Sequence, residues 1–209
     1  MTPLRSLVLA ALVVTLGGCT GLFHSNARPD QVYYLRARAT AARPQPVAAS
    51  LRVARPLAGP GLGLAQIVLV ESDRRMSYYV ASRWPAPAPS LVEAMVVEKL
   101  RASGAWQAVE DSASAFPSDY VLQMTVRRFE ADYTGGGVAP VVHVVLDCMV
   151  GRREGREVIA SFLAEGSAPA ATNRMSAVVA AFESAANSAI DSLSSQALEA
   201  VRGAMQRRP

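Results

Sequence analysis

The chain is poor in the residues from which catalytic and metal centres are usually built. Of its 209 residues only 2 are cysteine and 2 histidine. A disulfide scaffold is therefore excluded, and a multi-ligand zinc site would need carboxylates to complete it. Lysine occurs once, at Lys99, in an otherwise all-arginine basic complement. Beside abundant alanine, that bias reads as codon pressure in a GC-rich genome and carries no mechanism. No apolar run reaches the ~20 residues that cross a bilayer, which excludes a multipass membrane protein. Glycine and proline, 14 and 13 residues, fall short of a low-complexity or collagen-like bias. What is present is 51% hydrophobic and 18% charged, too apolar for a disordered chain and enough to build a sizeable core. A formal charge of +4 is far from a nucleic-acid footprint.

The N-terminus is the most informative stretch. Met1 to Arg5 carries one positive charge, Ser6 to Leu16 is apolar, and Leu16-Gly17-Gly18-Cys19 closes the run. The length and flanks are those of a secretory signal, and the ending resembles a bacterial lipobox. Such chemistry needs a thiol to take diacylglycerol as a thioether, and small residues before it so that a peptidase can grip the backbone. Three segments follow: a signal at residues 1–18, lipidated Cys19 and a flexible tether at 19–30, and a domain at 31–206. Cys19 would carry diacylglycerol and an N-acyl chain such as palmitate, which together hold a protein on a membrane where one chain alone does so only marginally. Thr20 stands where aspartate commonly signals inner-membrane retention, which favours the outer membrane. The tether reaches ~35 Å when fully extended.

Within the domain, Val32-Tyr33-Tyr34-Leu35 reads as a strand and Ala37 to Ser50 as a loop. Leu51 to Ala54, Gln66 to Val70 and Met76 to Ala81 read as further strands, with a turn at Ser72 to Arg75 and an end at Arg83-Trp84-Pro85. Ser90-Leu91-Val92-Glu93 is a capping-box pattern that predicts a helix start. Leu91, Val92, Met95, Val96 and Leu100 continue at helical spacing to a left-handed cap at Gly104. Trp106 to Val109 is extended and Asp111 to Ser118 a turn. An antiparallel meander follows. Tyr120, Leu122, Met124 and Val126 alternate, Gly135 to Gly137 makes the hairpin, Val142 to Val150 alternates again, and Val158 to Leu163 is the third strand. From Met175 to Met205 an apolar stripe predicts a helix of about 45 Å, with Glu183, Asn187, Asp191 and Glu199 off the stripe. The expected fold class is α/β: one mixed domain, a largely antiparallel sheet with helices packed against it.

No catalytic or metal constellation emerges. His143 and Asp147 share a strand face, but their backbones lie ~13 Å apart, too far for a base and its orienting carboxylate. Cys148 falls on an apolar face, where a thiol is a small hydrophobe. Gly135 to Gly137 lacks the Lys-Ser/Thr of a phosphate loop. The arginine pairs fall mostly at turns, solvated or facing anionic headgroups or an acidic partner. The aromatics stand out more. In Tyr33-Tyr34 and Tyr78-Tyr79 one ring must face away from its neighbour, so Tyr33, Tyr34, Tyr78, Tyr79 and Trp84 are the candidates for subunit or partner contact, the alternative being that alternate members fill the core.

The order of these motifs resembles the ABC-type transport auxiliary lipoprotein family, which includes paraquat-inducible outer-membrane lipoproteins. The resemblance rests on the lipobox, Tyr33-Tyr34-Leu35, Leu51-Arg52-Val53, Gln66-Ile67-Val68, Tyr78-Tyr79, Arg83-Trp84, Gly104-Ala105-Trp106, the Tyr120 to Glu130 strand and Val179-Ala180-Ala181-Phe182. It implies a non-enzymatic component without cofactors, anchored on the periplasmic side of the outer membrane. Such a component docks a mammalian-cell-entry (MCE) domain protein whose ABC permease and ATPase sit in the inner membrane, and it forms homo-oligomers. The loop from Pro56 to Ala65, the Ser72 to Arg75 turn and the ending Gln206-Arg207-Arg208-Pro209 depart from the family pattern. A lipid-binding carrier and a structural envelope lipoprotein are the competing readings.

Overall fold

One long strand organises the molecule. In a computed structural model, which describes residues 29–38 and 45–207, the strands are β1 (Gln31–Val32), β2 (Val47–Val53), β3 (Leu57–Ala58), β4 (Gln66–Val70), β5 (Met76–Arg83), β6 (Trp106–Glu110), β7 (Tyr120–Asp132), β8 (Val141–Arg152) and β9 (Glu157–Pro169). The helices are α1 (Ala88–Ala102) and α2 (Met175–Gln206), with a short 3₁₀ turn at Glu154–Arg156. Cys19, the signal and most of the tether lie outside the described residues.

β7 is paired along both edges. β8 runs antiparallel to it from Tyr120↔Arg152 to Asp132↔Val141, and β9 continues the meander from Val141↔Pro169 to Arg152↔Glu157. The other edge carries β2 at Tyr120 to Leu122, β3 at Thr125 to Val126 and β4 at Glu130 to Asp132, all parallel to β7. Val47 to Val70 is in effect one interrupted strand laid along β7, its surplus residues looped out. Leu62, in the second of these loops, is buried with the core, so the segment that departs from the family pattern has a packing role. β6 pairs β2, β5 pairs β4 and β1 pairs β5. The long ladders are antiparallel and the short ones mostly parallel, giving the expected mixed, largely antiparallel sheet with two helices on it.

The alternation read from the sequence places the core. Tyr120, Leu122, Met124 and Val126 face inward, a bulge between Val126 and Arg128 shifts the parity, and Phe129 and Ala131 then face the same side. Val142, Val144, Leu146, Cys148 and Val150 lie beside them. α2 runs unbroken across this face of β9, β8 and β7, and α1 packs against α2 and β6.

Several expectations are corrected. β2 begins at Val47 rather than Leu51, because Val47, Ala49, Leu51 and Val53 all alternate into the core. Of the expected strand Val32 to Leu35 only Val32 lies in a ladder: the Tyr33 amide still donates to the Arg83 carbonyl, but the chain then leaves the sheet, and the Arg36 and Arg38 amides bond side chains of α2. α1 begins at Ala88 after Pro87, with no side-chain cap. Proline in the first turn removes one of the N–H groups that a cap would serve, and Glu93 instead accepts from the Ser112 amide at 3.1 Å. Gly104 has the expected left-handed φ, +57°. Asn187, expected on the polar side of α2, is buried.

Candidate functional site

The first described segment, residues 29–38, is built into the fold. Asp30 lies 3.7 Å from Arg83, and Gln31 and Val32 register with Ser82 and Arg83 at the edge of β5. The Tyr33 amide then donates to the Arg83 carbonyl at 2.9 Å. From there the chain crosses to α2 as an extended strap, with Tyr33, Leu35 and Ala37 packed against the core and Tyr34, Arg36 and Arg38 outward.

Side chains on α2 replace a strand partner for this strap. The Arg36 amide donates to Glu183 Oε2 at 2.9 Å and the Arg38 amide to Asn187 Oδ1 at 2.6 Å. Asn187 Nδ2 donates back to the Arg36 carbonyl at 2.9 Å. An amide side chain offers both a donor and an acceptor, so Asn187 satisfies the strap as a neighbouring peptide group would. One helical turn on, Lys99 of α1 reaches the Arg38 carbonyl at 3.2 Å and Asp191 at 2.5 Å. The only lysine of the chain is thus buried, its charge matched by Asp191 and a second of its three donors given to the strap. Glu183, Asn187 and Asp191 recur every fourth residue, which puts them on one side of α2. That spacing was visible in the sequence; the partner of the row, a segment about 150 residues away, was not.

The five aromatic candidates separate. Trp84 is 0% exposed and sits edge-on to Phe129 at 5.9 Å and Phe182 at 5.2 Å, so it joins β5, β7 and α2 and offers a partner no surface. Tyr33 and Tyr79 are half-buried against the core. Tyr79 shares a 2.8 Å hydrogen bond with Tyr133, which donates to Asn173 at 2.7 Å. Burial and then that hydrogen bond push the Tyr79 hydroxyl well above its ordinary value. Tyr34 is 69% exposed and Tyr78 lies on the outer side of β5. Each adjacent pair therefore splits between core and surface.

The polar groups on the sheet face opposite α2 pair both along β7 and across to β8. Arg128 bonds Glu130 at 2.7 Å and Asp132 at 3.0 Å, His143 stands 4.0 Å from Asp132, and Asp147 pairs with Arg127 at 3.4 Å. Burial pushes the Asp132 carboxyl up, but hydrogen bonds from Thr134 and the Arg128 guanidinium outweigh it and hold the group below its ordinary value. Burial, with a lesser contribution from Asp147, pushes the Cys148 thiol up to about 12, which keeps it protonated. Among the described residues, no group of three or more His, Cys, Asp or Glu is placed to hold a metal, and no helix is long and apolar enough to cross a membrane.

The class of protein these features define is a single mixed-sheet domain backed by two helices, with residues 33–38 strapped to the final helix. Residues 33–194 match the family described as the ABC-type transport auxiliary lipoprotein component, and the chain belongs to that family. The crystal structure of protein XCC0632 from Xanthomonas campestris is similar, with 28% identity and a TM-score of 0.77 over 84% of this chain and 99% of that one. An uncharacterized protein shares the fold at 15% identity and a TM-score of 0.60, over 82% of this chain and 99% of that one. The PelC dodecamer from Paraburkholderia phytofirmans is a more distant match, 17% identical with a TM-score of 0.42, over 75% of this chain and 95% of that one. No functionally curated protein matches the chain significantly.

Proposed function

We propose that this protein is the lipid-anchored auxiliary subunit of an ABC-type lipid transporter, docking an MCE-domain protein at the periplasmic face of the outer membrane. In this reading residues 1–18 are removed, Cys19 carries the acyl chains, residues 19–30 form the tether, and residues 31–206 are a docking domain without catalytic chemistry. The permease and ATPase belong to other subunits.

The observation that carries the reading is the strap. A docking subunit must pass the position of its anchor to a stiff body, and here the lead from the anchor is held by β5, Glu183, Asn187 and Lys99 instead of hanging free. A carrier needs an apolar cavity for its cargo. In this domain Trp84, Phe129 and Phe182 lie fully buried in mutual contact between sheet and helices, where such a cavity would have to open. The outer edge of β9, which pairs only with β8 among the described residues, supports association between copies, since a long strand edge is a ready template for pairing.

The test is to tag the C-terminus, solubilise membranes gently and identify what co-purifies with wild type and with Cys19→Ala. The expected result is an MCE-domain protein with its permease or ATPase, reduced in Cys19→Ala. Recovery of the wild type alone with stoichiometric lipid, or with unrelated envelope proteins, would overturn the assignment.

A further inference from the structure

We infer that the outer side of β5, beside the point where the tether enters the fold, is a second membrane contact that rests against phospholipid headgroups. The inference depends on the proposal that Cys19 is lipidated.

Met76, Tyr78 and Val80 alternate along β5 and so project to the same side of the strand. They are 46%, 36% and 92% exposed. A valine left almost wholly in water within a strand is unusual beside a core that buries most of the other valines of the sheet. Val32 on β1 registers with Arg83 and Tyr34 follows it, both exposed. The patch is therefore aliphatic at its centre, with tyrosines whose hydroxyls stay in water, the composition that sits well at a membrane–water boundary. The turn before β5 is balanced in charge, Glu71 and Asp73 against Arg74 and Arg75, so the patch is distinguished by its apolar and tyrosine side chains rather than by charge.

The tether identifies the occupant. The described chain enters at Pro29 and is fixed to β5 by the Asp30–Arg83 pair and the Gln31↔Ser82 register, two positions from Val80. Cys19 lies ten residues earlier. Ten residues reach ~35 Å at most. The corner formed by β1 and β5 is thus the part of the domain that the anchor holds nearest the leaflet, and a short tether raises the local concentration of membrane at this patch above that at any distant surface.

The test uses the full lipoprotein in vesicles of phosphatidylethanolamine and phosphatidylglycerol. An environment-sensitive fluorophore is attached at Val80→Cys and, for comparison, at Val158→Cys, which is also exposed but lies at the start of β9. Cys148 is buried and stays unlabelled. Headgroup-nitroxide lipids should quench the Val80 probe several-fold more strongly than the Val158 probe. Equal quenching, with acyl chains found on Cys19 by mass spectrometry, would overturn the membrane contact and leave the anchor intact. A Val80 signal that changes only with protein density on the vesicle would likewise overturn it, in favour of a second copy. Absence of acyl chains on Cys19 would instead remove the anchored reading itself.

Discussion

The two halves of the domain are held together differently. From Tyr120 onward β7, β8 and β9 form hairpins twelve or thirteen residues long, and α2 covers them in one unbroken helix. Before Tyr120 the strands are short, mostly parallel to their partners and separated by loops. The C-terminal half is specified by contacts close in sequence, while the N-terminal half is assembled onto the free edge of β7 and onto α2 by distant ones. A region built by local ladders suits a rigid platform, and one laid on afterwards suits a connection to something outside the domain.

The largest test of that contrast is Trp84→Ala. Trp84 follows β5 but sits between Phe129 and Phe182, so it joins the two halves. Its loss should cost about 4 kcal/mol in denaturant unfolding and release the N-terminal strands first. Cooperative loss of both halves together would show them to be one unit. Gly166→Val strikes within the platform, since a Cβ there would stand 2.0 Å from the Ala185 carbonyl oxygen of α2. Overpacking of this kind should cost about 3 kcal/mol. A neutral result in thermal unfolding would mean that α2 shifts freely on β9.

Lys99→Met reaches the strap alone. It removes the contacts to Asp191 and the Arg38 carbonyl, and because Asp191 is 43% exposed and can rehydrate, the expected loss is only about 1–2 kcal/mol. Amide exchange at residues 33–38 should accelerate while the β7–β8 ladder is unchanged; equal acceleration in both would contradict the division. The smallest effect is acid-dependent. Asp132 is held below its ordinary value of 3.8 when folded, so its contribution is present above that value and disappears as pH falls below it. Asp132→Asn should be less stable than wild type by about 0.5 kcal/mol at neutral pH, with the gap closing in thermal unfolding below pH 3.8. A gap that persists in acid would place its origin outside the carboxylate.

The same contrast explains what the sequence could reveal. Alternation at Tyr120 to Val126 and Val142 to Val150, and the stripe of α2, are local signals, and these elements were legible with their inward faces. The N-terminal half was read less well because its strands take their identity from β7. The alternation that begins β2 at Val47 is weak, since Ala48 and Ala49 differ little in polarity although only Ala49 is buried, and nothing near Tyr33 announces an extended segment whose later amides bond a helix. The capping box at Ser90 was overridden by Pro87 and Pro89 setting an earlier start. Of the site, the splitting of the tyrosine pairs followed from strand geometry. The buried roles of Lys99 and Asn187 depend on contacts across 61 and 149 positions respectively, which no window of sequence contains.

The most direct test of the central claim, that the lead from the anchor is part of the rigid body, is hydrogen exchange of the wild-type lipoprotein resolved at single amides. The account predicts protection at Tyr33, Arg36 and Arg38, whose amides donate to Arg83, Glu183 and Asn187, together with loss of the Arg38 protection in Asn187→Ala. Exchange at all three at the rate of an unstructured peptide would mean that the tether runs to the first core strand unheld, and the strap would have no part in positioning the domain.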